Sequence, residues 1–108
     1  MKEYIFNDSG VCTNPDIAKS KVSFKLLTYW SIFTAYTGKG WVYGYSWHAS
    51  DSGAFSPAYL EDKEVFETQR AAIDACARKL LKEKAILDKK GLKELIFDNR
   101  QLNLFDDD

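Results

Sequence analysis

The spacing of hydrophobic residues divides the chain into a β-like part and a helix-like part. Between residues 22 and 47, large apolar side chains tend to fall on alternate positions, which is the period of a strand that buries one face. The alternation is clearest over residues 41–48, where smaller residues separate four large rings. We predict that these rings share one face of a strand: Trp41, Tyr43, Tyr45 and Trp47.

A tight reversal is predicted just before this strand. The segment Thr37-Gly38-Lys39-Gly40 contains two glycines, which supply the positive φ angles that short β-turns need. Nine of the 16 aromatic residues lie between Phe24 and Trp47, on both sides of the turn. The sequence therefore predicts an aromatic β-hairpin.

The helix-like part begins after Thr68, whose hydroxyl group is suited to capping the first turn of a helix. Apolar residues then recur at spacings of three and four, the pattern of an amphipathic helix. Gly91 interrupts this pattern, and residues 92–97 predict one or two further helical turns. The predicted apolar stripe consists of Ala72, Ile73, Cys76, Ala77, Leu80, Leu81 and Leu87.

Three further segments have weaker signals. Pro15 suits the first position of a helix, so we predict a single helical turn that reaches Ala18. Residues 49–57 are small, polar and broken by glycine and proline, which predicts a loop. A short edge strand is predicted around Tyr59 or Val65.

Strands followed by a helix predict an α+β fold of two layers. A small antiparallel sheet, made of the aromatic hairpin and short strands, would pack against one long C-terminal amphipathic helix. The alanines of the helical stripe would allow the helix to lie close to the aromatic face of the sheet. We expect one domain over residues 1–97 and a flexible tail over residues 98–108.

The charge balance disfavours two classes of protein. The chain has 15 basic and 16 acidic residues and a net charge of -1. This balance disfavours a strongly basic polyanion binder as well as a heavily acidic mimic of DNA. The chain also has no apolar run long enough to span a membrane and no export signal, so we expect a cytoplasmic protein.

The sequence contains no constellation that indicates catalysis. His48 lies near Ser46 and Asp51, but a catalytic triad needs these groups aimed at one another beside an oxyanion hole. Cys12 and Cys76 are far apart and lack the spacing of metal ligands, so we expect two free thiols. We therefore predict a protein that is not an enzyme and that needs no metal or cofactor.

A short peptide near the end of the chain carries the most specific signal. The residues Gln101-Leu102-Asn103-Leu104-Phe105 resemble the bacterial sliding-clamp-binding motif, whose pattern is Gln-Leu-(Ser, Asp or Asn)-Leu-Phe. Such peptides occur in bacterial translesion polymerases, mismatch-repair proteins and replication-initiation regulators. The resemblance covers five of 108 residues, and it implies an accessory or modulator of DNA replication or repair that docks on the clamp.

The resemblance implies a role for each side chain of this peptide. Leu104 and Phe105 would fill an apolar pocket, Leu102 would lie on its rim, and the Gln101 amide would both donate and accept hydrogen bonds. The position after the last helical pattern favours docking, since a flexible tail can reach a partner. The alternative is that Leu102, Leu104 and Phe105 form a final edge strand or pack on the core.

Two other classes of interface stay open. Exposed rings on a sheet can stack on nucleic-acid bases while lysines contact the backbone, and residues 1–50 carry a charge balance of +2. The same rings could instead form the centre of an interface with a host protein, as in the small inhibitors and adaptors of phages and mobile elements. In a third interpretation they are simply core. The residues of this possible interface are Lys25, Lys39, Trp41, Tyr43, Tyr45 and Trp47.

Overall fold

Four strands form a single antiparallel sheet in the order β1-β2-β3-β4. The computed structural model describes residues 2–20, 29–49, 52–62, 64–84, 86 and 89–97. The strands are β1 (Asp16–Lys19), β2 (Tyr29–Tyr36), β3 (Trp41–His48) and β4 (Gly53–Ser56). They are followed by the helices α1 (Gln69–Leu81) and α2 (Lys90–Phe97). The predicted α+β class and the antiparallel sheet are thus confirmed.

The predicted hairpin joins β2 to β3. The two strands pair over their full length, from Tyr36 opposite Trp41 to Tyr29 opposite His48. In the turn, Gly38 has a φ of +90°, and the backbone N–H of Thr37 donates to the carbonyl of Gly40 over 2.9 Å. A glycine is needed at the tip because other residues rarely adopt this positive φ.

Two predictions about short segments are wrong. Residues 16–19 form β1 rather than a helical turn, because they pair with residues 31–34 along the edge of β2. Residues 49–57 are not entirely a loop, since they contain β4, which pairs with the second half of β3. Near the predicted edge strand, Tyr59 forms an isolated bridge with Val11. In each segment, pairing with a distant strand outweighs a weak local preference.

The start of the helical part follows the prediction. The hydroxyl oxygen of Thr68 accepts a hydrogen bond from the backbone N–H of Ala71 over 3.0 Å, which caps α1. The predicted stripe faces the protein interior, with Leu87 lying outside the described residues. Its fully buried members are Ala72, Ile73, Cys76, Ala77 and Leu80.

The prediction of one long helix is wrong, because α1 ends at Leu81 and α2 is a separate element. The last turn of α1 tightens as Glu83 donates its N–H to the carbonyl of Leu80, three residues earlier. The ammonium group of Lys89 then donates to the carbonyl of Leu81 over 2.9 Å. Among the described residues, neither helix is long and apolar enough to cross a membrane.

Both helices pack on one face of the sheet. The Arg70 guanidinium of α1 donates to the carbonyl of Ile96 and so ties the two helices together. Gly91 of α2 lies against Trp30, where a Cβ atom would come within 3.2 Å of the indole ring. The sheet contributes Ala18, Trp30, Ile32 and Trp47 to this core. The helices contribute Ile73, Cys76, Ala77, Leu80, Leu92, Leu95 and Ile96.

A second, smaller core covers part of the opposite face near the hairpin turn. It buries Cys12, Ala35, Val42 and Ala58, and Phe6 and Phe33 pack against it. The chain reaches this position by crossing β3 directly over Gly44. A Cβ atom at Gly44 would lie 2.4 Å from the backbone of Pro57 and Ser56, closer than any real contact. This crossing therefore requires glycine at position 44.

We expect Gly44→Ala to lower the free energy of unfolding by about 3 kcal/mol, because the added methyl group meets backbone atoms that have no free space to move into. Urea denaturation followed by far-UV circular dichroism measures the change. Ser46→Ala on the same strand face is the matched control and should unfold like the wild type. Equal stability of Gly44→Ala and the control would show that the crossing is not tight.

Candidate functional site

The structure describes only some of the predicted site residues. Gln101, Leu102, Leu104 and Phe105 lie outside the described residues, and so does Lys25. Lys39 is exposed at the tip of the β2–β3 turn. The use of these residues in binding therefore stays a prediction.

The four rings of β3 share one face, as predicted, and that face is the one covered by the helices. Trp47 is buried with 8% of its surface exposed, and Tyr43 and Tyr45 pack against the same core. Trp41 is half-buried and makes edge contacts with the rings of Tyr4 and Tyr36 at centroid distances of 5.7 and 5.5 Å. This arrangement favours the core interpretation, because base stacking requires rings with a free face.

A groove of about 380 Å³ opens beside Tyr43 and Tyr45. Its far wall carries the carboxylates of Asp62 and Glu64, and the Lys79 ammonium lies over the Tyr45 ring at 5.0 Å. Burial raises the pKa of the Tyr43 hydroxyl group, and the nearby negative charges add to this shift. The groove is thus predominantly acidic, and the Lys79 ammonium lies on the Tyr45 ring that lines it.

A buried polar cluster surrounds Asp16, which is only 8% exposed. Its carboxylate accepts hydrogen bonds from the Lys2 ammonium over 2.9 Å, the Tyr4 hydroxyl over 2.5 Å and the Gln69 amide over 2.8 Å. The Gln69 amide also donates to the Thr34 hydroxyl over 3.1 Å. With three donors on one carboxylate, this cluster joins the N-terminal segment, β1 and α1, and its role is structural.

The half of the other sheet face that is remote from the hairpin turn is exposed. Ile17, Tyr29 and Phe55 are exposed by 47%, 42% and 67%. Phe55 makes an edge contact with Phe33 at 6.0 Å, and Tyr29 stacks on His48 at 5.4 Å. We call this region the open face, and it comprises Ile17, Lys19, Tyr29, Ser31, Phe33, Ser46, His48 and Phe55.

Sequence reasoning missed the open face. Phe55 lies in a segment predicted to be a loop, and Ile17 lies in a segment predicted to be a helical turn. The even spacing of Tyr29, Ser31 and Phe33 was a usable signal, since residues two apart share a strand face. This spacing is hard to recognise, because large apolar residues such as Trp30 and Ile32 occupy the intervening positions.

Neither cysteine is placed for chemistry. Both thiols are free and buried. Burial is the main cause that raises the pKa of each thiol, and the increase is large for Cys76 on the buried face of α1. Among the described residues, no group of three or more histidine, cysteine or carboxylate side chains is arranged to hold a metal ion.

Comparison with known proteins gives no relative of this chain: no family model matches it, and no match was found among curated proteins or solved structures.

We expect Asp16→Ala to lower the free energy of unfolding by about 1–3 kcal/mol, because it removes the buried carboxylate that accepts hydrogen bonds from Lys2, Tyr4 and Gln69. Thermal and urea unfolding of the two proteins measure the change. Asp8→Ala removes an exposed carboxylate and should have little effect. A stability of Asp16→Ala equal to that of Asp8→Ala would contradict a structural role for the cluster.

Proposed function

We propose that this protein is a non-enzymatic accessory protein that docks on the bacterial DNA sliding clamp. The single observation that carries the proposal is the peptide Gln101-Leu102-Asn103-Leu104-Phe105, which resembles the clamp-binding motif in all five positions. The protein would act in DNA replication or repair in a bacterial cell. Its gene would belong to a phage or a mobile element.

The chemistry of the peptide suits a shared docking site. Burial of Leu104 and Phe105 in an apolar pocket contributes about 2–3 kcal/mol each. The cost of ordering the peptide offsets part of this gain, so the net affinity is roughly micromolar. Such an affinity allows many partners to exchange on one clamp.

The peptide follows the last described element of the chain. Helix α2 ends at Phe97, and the peptide begins four positions later. Clamp binding and the stability of the fold are therefore measured in parallel, so that a loss of binding is distinguished from a loss of folding.

The test compares the full chain with the triple variant Gln101→Ala, Leu104→Ala and Phe105→Ala for binding to a purified bacterial sliding clamp. We expect the triple variant to bind at least about tenfold more weakly, because two buried side chains and the paired amide are lost. Isothermal titration calorimetry or surface plasmon resonance measures the dissociation constants.

Asn103→Ser is the matched control, because the motif accepts serine at this position, and it should bind like the wild type. Unfolding of all variants is followed in parallel. Equal clamp binding by the wild type and the triple variant would refute the proposal. A loss of stability in the triple variant without any wild-type binding to the clamp would instead assign these side chains to the core.

A further inference from the structure

The open face differs in charge from the rest of the molecule. Between Asp16 and Asp51 the sequence contains four lysines and no acidic residue, although the whole chain has a net charge of -1. Asp16 is the one carboxylate on the four strands, and it is held on the helix-covered side by Lys2, Tyr4 and Gln69. Of the four lysines, Lys19 belongs to the open face as defined above. The eight residues of this face thus comprise one lysine, one histidine and no carboxylate.

The open face also presents aromatic rings in two groups. Phe55, the most exposed large apolar residue of the described chain, leans on Phe33 from β4. The second group is the Tyr29–His48 pair, whose rings are inclined by only 27°. Tyr29 and Phe33 are four residues apart on β2, about 13 Å along the strand. Phe55 lies closer to the second group, because it is opposite Ser46, two residues before His48 on β3.

Small hydroxyl side chains lie between the two groups. Ser31 and Ser46 are directly opposite each other on β2 and β3, and both are half-buried. Their hydroxyl groups form a polar surface beside the rings and can donate and accept hydrogen bonds. The centre of a protein interface is usually more apolar than this and is closely packed.

We propose that the open face binds single-stranded nucleic acid. One base stacks on Phe55 beside Phe33, another stacks on the Tyr29–His48 pair, and Lys19 contacts a phosphate. Exposed aromatic rings, a positive charge and the absence of a carboxylate among the residues of the open face are together the features that such a ligand needs. This surface lies opposite the Trp41–Trp47 rings that sequence reasoning selected, and it does not depend on the clamp-binding peptide.

The test measures the fluorescence anisotropy of a labelled oligothymidylate as the full chain is added, at about 50 and about 200 mM salt. We expect binding at low salt that weakens at high salt. Phe55→Ala and Tyr29→Ala should each weaken binding about fivefold or more, since each removes a stacking partner. Lys19→Gln should reduce the dependence of binding on salt.

Val65→Ala is the matched control, because Val65 is 44% exposed but lies outside the sheet. It should bind like the wild type, and so should the triple variant of residues 101, 104 and 105, which separates this test from that of clamp docking. Circular dichroism confirms folding of each variant. Phe55 and Tyr29 are exposed enough for their removal to leave the core intact.

Any one of four results would overturn the proposal. The first is no anisotropy change at low salt. The second is binding that Phe55→Ala and Tyr29→Ala leave unchanged. The third is equal affinity for the single strand and for a duplex of the same length. The fourth is self-association of the wild type that Phe55→Ala abolishes, measured by light scattering without nucleic acid, which would assign the open face to a second copy of the chain.

Discussion

The packing of both helices on one face of the sheet is the constraint on which the rest of the structure depends. The sheet places two indole rings on this face, Trp30 and Trp47. The helices contribute the small residues Cys76, Ala77 and Gly91 to the same core. Small side chains allow the helices to approach the sheet closely, so both indole rings are buried. Both helices lie on this face. Among the described residues, the N-terminal segment and Ala58 cover the other face near the hairpin turn.

Local signals in the sequence are sufficient to predict the hairpin and the start of α1. The turn at Gly38 needs a positive φ, and the cap at Thr68 depends on contacts within a few residues. The same is true of the stripe from Ala72 to Leu80, since helical periodicity is a property of one segment. These predictions are confirmed because the interactions that determine them are short-range.

The features that could not be predicted depend on contacts between distant parts of the chain. Residues 16–19 and 53–56 become strands only because the edges of β2 and β3 are available to pair with them. The break between α1 and α2 places Ile86 and Leu92 over the sheet, which periodicity alone does not specify. The open face could be predicted only in part. The alternation of Tyr29, Ser31 and Phe33 indicates the contribution of β2, but the face is assembled from residues of all four strands. The peptide at 101–105 stays a prediction from sequence, since it lies outside the described residues.

The most direct test of this account is a map of which residues respond to a ligand on each face of the sheet. Chemical shifts of the isotope-labelled full chain are measured by NMR as an oligothymidylate is added. We expect the largest changes at Tyr29, His48 and Phe55, while the ring signals of Tyr43 and Trp47 do not shift. The largest changes at Tyr43 and Trp47 instead would contradict it, because the ligand would then have to displace the helices.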